Sequence, residues 1–293
     1  MTNILRDQDT LIHFSLLEGQ ARAVLIDSTR LVSEARRIHR LSDTATVALG
    51  RLLTGAAIMG DMLKGEKCSV TLTVKGGGEI GALVAVGMPG GYVKGYVDKP
   101  YCEAASVGEA VGKEGTLTVV KDTGMREPYV GQVELVSGEI AEDICAYMFY
   151  SEQTPSLLAL GVHVGENGVE TAGGILVQML PGASEAAIQS VELSAGMLAG
   201  VAGELAISGP DGTVQQLIGH LQPEELERSH PAYRCDCSRE RVEKALISLG
   251  VEELRDIVNE QHGATAGCHF CNKKHRFTEA DLLRLIDEMQ SRE

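Results

Sequence analysis

Apolar and polar residues trade places along the first part of the chain in two periods. "ARAVLIDST", from Ala21 to Thr29, reads as a strand. Ser42 and Asp43 stand where a cap would start a helix running through apolar positions toward Leu63. Then "SVTLTVK", "ALVAV", "GYVKGYV", "TLTVVKD" and "YVGQVELV" follow as short strand-like runs parted by glycine-rich turns. A helix is predicted from Ile140 to Tyr150, stopped by Pro155 in "SEQTPS", and "TAGGILVQML" closes this part as a buried strand. Strands grouped between helices predict an α+β domain over residues 1–178 rather than a strict βαβ alternation.

The pattern changes at 179–228. Ser184 is a good N-cap, and Ile188, Val191, Ala195, Leu198, Ala202 and Leu205 recur in steps of three and four, one apolar stripe on one predicted helix. Much of that stripe is alanine, and Gly196, Gly200 and Gly203 interrupt it, each costing about 1 kcal/mol relative to alanine. Such a helix is expected to persist only while something packs on it, so 179–228 reads as a metastable helical linker. "GPDG" at 209–212 breaks it, and a shorter helix from Val214 to Leu221 follows.

Residues 229–293 read as a small helical domain. Val242, Ala245, Leu246 and Leu249 mark one helix face, with Gly250 at its stop. Leu254, Ile257 and Val258 mark a second helix. "TEAD" at 278–281 is a capping-box pattern ahead of Leu282, Leu285, Ile286 and Met289. A domain of this size has a thin core and gains from a staple.

Composition narrows the function classes. The chain has 293 residues and a formal net charge of −15, which speaks against a general nucleic-acid binder held by phosphate-neutralising cations. "MTNILRDQDTL" carries Arg6, Asp7 and Asp9 where an export signal would be apolar, and the apolar segment Val47 to Leu63 is interrupted by Arg51 and Asp61. A soluble cytoplasmic protein, with no membrane partner, is therefore expected. No Walker loop is present, so ATP is not indicated. "GGGEIG" at 76–81 matches the dinucleotide fingerprint, but the "ALVAV" that follows is a strand pattern, so a hairpin turn is expected there.

Four of the seven cysteines form two close pairs, Cys235-Asp-Cys237 and Cys268-His-Phe-Cys271. Two pairs of thiolates can complete a tetrahedral zinc shell and clamp distant segments together. In a reducing compartment such clustering points to metal or redox chemistry before structural disulfides. Iron–sulfur clusters also use four thiolates but with other spacings, so zinc is the favoured metal, while a purely structural zinc stays open on spacing alone. Arg234, Arg239, Arg241, Lys273, Lys274, His275 and Arg276 flank the pairs as a basic collar, which favours the thiolate form that oxidants attack. His262, His269 and His275 are surplus to a filled four-thiolate shell. The intervening helices carry more acidic than basic residues, against a nucleic-acid zinc module. Cys68, Cys102 and Cys145 read as core or incidental thiols.

With "ARAVLIDST", "GGGEIG", "GYVKGYVD", "SEQTPS", "GGILVQMLP", "CDCSRE" and "GCHFC" together, the sequence resembles the redox-regulated 33-kilodalton heat-shock chaperone family of bacteria over essentially its whole length. The resemblance implies an ATP-independent holdase, not an enzyme. Reduced, it holds Zn2+ through Cys235, Cys237, Cys268 and Cys271. Oxidised, it joins Cys235 to Cys237 and Cys268 to Cys271, loses zinc, unfolds its C-terminal module, forms a homodimer and captures unfolding client proteins. The stripe residues Ile188, Val191, Leu198 and Leu205 are then candidates for client contact. A thiol oxidoreductase and a zinc-dependent nucleic-acid regulator are the rival classes.

Overall fold

The structure is a computed structural model and describes residues 7–290; the start of the chain through Arg6, used above against an export signal, lies outside them. The chain divides into two compact units, Met1–Arg234 and Cys235–Glu293.

The first unit is α+β. Strands β1 (Thr10–Leu16) and β2 (Ala21–Asp27) form an antiparallel pair, and helices α1 (Thr29–His39) and α2 (Asp43–Asp61) follow. As its sequence predicts, α2 is capped by Ser42, whose Oγ accepts from the Ala45 N–H at 3.2 Å. The short runs beyond it become β3 (Ser69–Lys75), β4 (Leu83–Met88) and β5 (Tyr92–Val97), then a short α3 (Val107–Val111), β6 (Thr116–Asp122) and β7 (Tyr129–Glu134). β3 and β4 pair antiparallel across "GGGEIG", so that motif is a hairpin turn. Its glycines are required by proximity: a Cβ on Gly76 or Gly78 would lie 2.2–2.4 Å from the carbonyl oxygens of Ala110, Val111 or Gly112. The unit continues through α4 (Ala141–Tyr150), β8 (Ser156–Gly165) and β9 (Gly168–Met179).

The first helix predicted in the linker is broken into α5 (Glu185–Leu193), α6 (Ala195–Leu198) and the start of α7 (Val201–Ile218), and α7 runs on past a kink into the shorter helix predicted from Val214. The segments on either side of Gly200 are bent by 107°. Ser184 does cap α5, accepting from the Ala187 N–H. In "GPDG", Gly209 takes φ 73°, ψ 178°, a conformation natural to glycine, and kinks α7 where Pro210 re-enters it. Strands β10 (Glu224–Ser229) and β11 (Ala232–Tyr233) end the unit.

Two sheets organise these elements, a five-stranded one in the order β10-β1-β2-β9-β8 and a six-stranded one in the order β11-β5-β4-β3-β6-β7. Alternation along the central strands of the first sorts its side chains into two cores. Leu11, Val24, Ile26 and Leu176 join α1, α2 and the second sheet in one cluster. Ile12, Phe14, Ala23, Leu25, Ile175 and Val177 meet Val191, Leu198, Val201, Leu205, Leu217 and Ile218 of the 185–221 helices in another. The segment predicted as a linker is thus the outer layer of the first unit.

The second unit holds α8 (Arg239–Ile247), α9 (Val251–Gln261), the hairpin β12 (Gly263–Gly267) with β13 (Lys274–Thr278), and α10 (Glu279–Gln290). Its core is Leu246, Leu254, Val258, Phe277, Leu282, Leu285 and Ile286. The capping box predicted at "TEAD" is formed: the Thr278 N–H donates to Asp281 Oδ2 at 2.8 Å, and the Asp281 N–H donates to Thr278 Oγ1 at 3.2 Å. Among the described residues no single helix is long and apolar enough to cross a membrane.

Candidate metal centre

The four predicted ligands converge. Cys235 and Cys237 lie on the extended stretch ahead of α8, whose N-cap Ser238 accepts from the Arg241 N–H, fixing the chain as it leaves Cys237. Cys268 and Cys271 sit in the tight loop that joins β12 to β13. There the Cys268 N–H donates to the Lys273 carbonyl at 2.9 Å and the Asn272 N–H to the Cys268 carbonyl at 2.8 Å. Asn272 takes the left-handed conformation, φ 56°, which asparagine tolerates better than most residues.

All four sulfur atoms lie within 4.8 Å of one another. Cys235 and Cys268 are 3.6 Å apart, and Cys237 and Cys271 are 3.4 Å apart. A tetrahedral shell with metal–sulfur bonds of ~2.3 Å sets its sulfur atoms about 3.8 Å apart, so the donor set fits a single soft or borderline divalent cation. The thiols of Cys68, Cys102 and Cys145 take no part in this cluster.

The electrostatics agree with a metal cage. Burial, followed by hydrogen bonding among the thiols, pushes Cys235 up to about 11 and raises Cys237 further. Burial also raises Cys268, but the N–H groups of Cys271 and Phe270 and the neighbouring thiols outweigh it and leave that thiol below its ordinary value. Four sulfurs this close do not all ionise by themselves. A bound cation deprotonates them and so ties metal affinity to pH.

Three members of the basic collar have partners or surroundings of their own. Arg241 pairs with Asp236. Arg239 lies 4.3 Å over the Phe277 ring, donates to the Arg276 carbonyl at 2.6 Å and pairs with Asp281 at 3.0 Å. It bolts the first cysteine arm to the hairpin and to α10, a role that the sequence pattern does not reveal. His275 is buried in β13 with Nε2 unpartnered, so this member of the collar is an interior side chain.

The predicted client-contact residues are elsewhere, on the outer helical layer of the first unit. Val191, Leu198 and Leu205 are buried against the five-stranded sheet, and Ile188 is 37% exposed.

Fold and cysteine cage together define a two-unit α+β protein with a four-thiol centre in its smaller unit. Residues 9–278 match the family model described as Hsp33 protein, and the chain belongs to that family. It is 44% identical to the 33 kDa chaperonin of Acetivibrio thermocellus, over 97% of this chain and 99% of the relative. It is 41% identical to the protein of that name from Clostridioides difficile, over 96% and 100%. The crystal structure of the 33 kDa chaperonin (heat shock protein 33 homolog) from Thermotoga maritima superposes with a TM-score of 0.86 at 33% identity, covering 98% of this chain and 100% of that one. Family membership makes this chain a chaperone.

Proposed function

We propose that the chain is an ATP-independent holdase, switched on by oxidation of its four-cysteine centre. What supports this reading is the placement of the four thiols. They gather in the unit with the smaller core, seven buried apolar residues, where losing a staple matters most. Zn2+ is the cation proposed for Cys235, Cys237, Cys268 and Cys271, because an all-thiolate tetrahedral set suits it and it brings no redox chemistry of its own. When bound, zinc supplies binding energy of ~10–16 kcal/mol in small domains of this kind, more than such a core provides.

A peroxide takes two electrons from a pair of thiols and leaves a disulfide and two waters. Two such events consume all four ligands. We assign the bridges as Cys235 with Cys237 and Cys268 with Cys271, the pairing that the family resemblance implies. The cage brings sulfurs together across the pairs as well, so peptide mapping is needed to separate the two patterns. Without ligands the second unit unfolds, the 179–228 segment loosens, and the chain forms a homodimer and holds unfolding polypeptides. Cytoplasmic residence fits this scheme, since a reducing compartment keeps the switch off.

One titration tests the reading. Peroxide is added stepwise while released zinc, free thiols and aggregation of a heat-unfolded protein are followed in the same sample. Zinc release, loss of four thiols and suppression of aggregation are expected to run in parallel, without ATP. Aggregation unchanged after complete zinc release refutes the holdase. Catalytic turnover of a partner disulfide identifies an oxidoreductase instead.

A further inference from the structure

The eleven residues before Cys235 lace both sheets of the first unit. β10 forms the edge of the five-stranded sheet on β1, and β11 the edge of the six-stranded sheet on β5. Between them the His230 ring lies 3.0 Å from the Asp9 carbonyl. Tyr233 is the firmest anchor: its hydroxyl donates to the Gly95 carbonyl at 2.7 Å and accepts from the Gly95 N–H at 3.2 Å. The Arg234 N–H donates to the Val93 carbonyl at 2.8 Å.

The β10 part of this strap is chemically mismatched to the edge it covers. Its sequence is Glu-Glu-Leu-Glu-Arg-Ser, and five of its six residues are exposed. Arg228 stands opposite Ile12 and Glu225 opposite Phe14, and opposed residues of an antiparallel pair share a face. Ile12 and Phe14 are core residues of the outer cluster. Beside them the strap sets an ion pair, Arg228 with Glu225 at 2.8 Å, joined by Asp211 of α7 at 2.6 Å. The register also shifts between His13 and Phe14. Backbone hydrogen bonds therefore hold β10 with almost no apolar burial, and such a segment opens at low cost. Charged, bulged cover of this kind is how proteins blunt an edge that would otherwise recruit strands.

We propose that the edge of β1 beneath residues 224–229 is a strand-acceptor site that takes an extended apolar segment of an unfolding polypeptide in place of the strap. The occupant is argued from the edge itself. A strand already fills it, so an extended chain fits. An incoming segment with apolar residues where Arg228 and Glu225 now stand extends the core beside Ile12 and Phe14. Recognition through main-chain bonds tolerates many sequences, as a holdase requires. The inference rests on the holdase reading and names the surface that would do the holding.

The test uses the full chain, reduced or fully oxidised, with chemically unfolded citrate synthase as the client. In the oxidised, client-loaded protein, amides 224–229 are expected to exchange at least about ten-fold faster than in the reduced protein, while amides 10–16 stay protected. The double variant Glu225→Val, Arg228→Val makes the strap match its edge. It is expected to lose thiols and zinc like the parent yet capture about ten-fold less client. Capture by the oxidised parent with 224–229 still protected, or undiminished capture by the variant, overturns the acceptor site and leaves the holdase reading standing. No capture by the oxidised parent refutes both.

Discussion

Helix α2 on one face of the five-stranded sheet and the α5–α7 layer on the other both carry glycine within helical turns, and the surroundings of those glycines are opposite. In α2 a Cβ on Gly50 would lie 2.8 Å from Val32 Cγ1, and one on Gly55 2.6 Å from Ile144 Cδ1. One on Gly60 would lie 2.4 Å from the Gly87 backbone. These residues are absent side chains that let neighbours approach. In the outer layer nothing lies within 4 Å of the Cβ position at Gly196. The nearest atom is 3.6 Å away at Gly200 and 3.9 Å away at Gly203. At Gly196 and Gly203, which lie inside α6 and α7, glycine serves no contact and only lowers helix stability, by about 1 kcal/mol per site, whereas Gly200 stands at the break between those helices. One residue type thus locks one layer and loosens the other.

The largest effect expected from this contrast is at Gly60. Its obstacle is backbone, which cannot swing aside as a side-chain end can, so Gly60→Ala is expected to destabilise the first unit by about 4 kcal/mol or more. Urea unfolding followed by circular dichroism measures it. A loss below about 1 kcal/mol would mean that the α2–β4 approach has slack, and the contrast would fail on its tight side.

The inner layer also carries a pH dependence. Asp9 accepts the N–H groups of Arg30 and Leu31 at the start of α1, both at 2.8 Å, while lying almost wholly buried. Burial, with help from the Asp27 charge, pushes its carboxyl up to about 7. The folded state therefore holds a proton that the unfolded chain releases near pH 4. The stability this contributes is present in full below about pH 4 and is lost as pH rises to about 7, on the order of 4 kcal/mol, after which the curve is flat. Asp9→Asn is expected to remove that slope in urea melts at pH 5 and 8. The second unit is expected to run the other way, because its thiols shed protons to bind metal and hold it better as pH rises.

Much of this arrangement is legible in the sequence. Ser42, Ser184 and the Thr278–Asp281 box cap helices because capping depends on local residues alone. The four thiols were legible as one donor set because each pair lies within one short turn of chain, and the structure brings the two pairs together. The breaks at Ser194 and Gly200 were not legible, since Val191, Leu198 and Leu205 keep helical spacing through them and only the sheet beneath decides where the chain bends. β10 was invisible for a related reason: with five of six side chains in solvent, no apolar alternation records its pairing to β1. Which glycine packs and which lies open is equally a property of neighbours distant in sequence.

The smallest expected change bears most directly on function. Gly196→Ala and Gly203→Ala meet no obstacle and take no positive φ, so each is expected to stabilise the 185–221 layer by about 1 kcal/mol. That is about a five-fold slowing per site of amide exchange through local opening of α5–α7, with the melting of α2 unaltered. In the proposed switch this layer must loosen after the cysteines are oxidised. The double variant should therefore release zinc with the parent's peroxide dependence but suppress aggregation less at the same degree of oxidation. Slower exchange with unchanged holdase activity would place the yielding element elsewhere in the first unit. Unchanged exchange would mean that these glycines do not set the layer's stability, however open their surroundings.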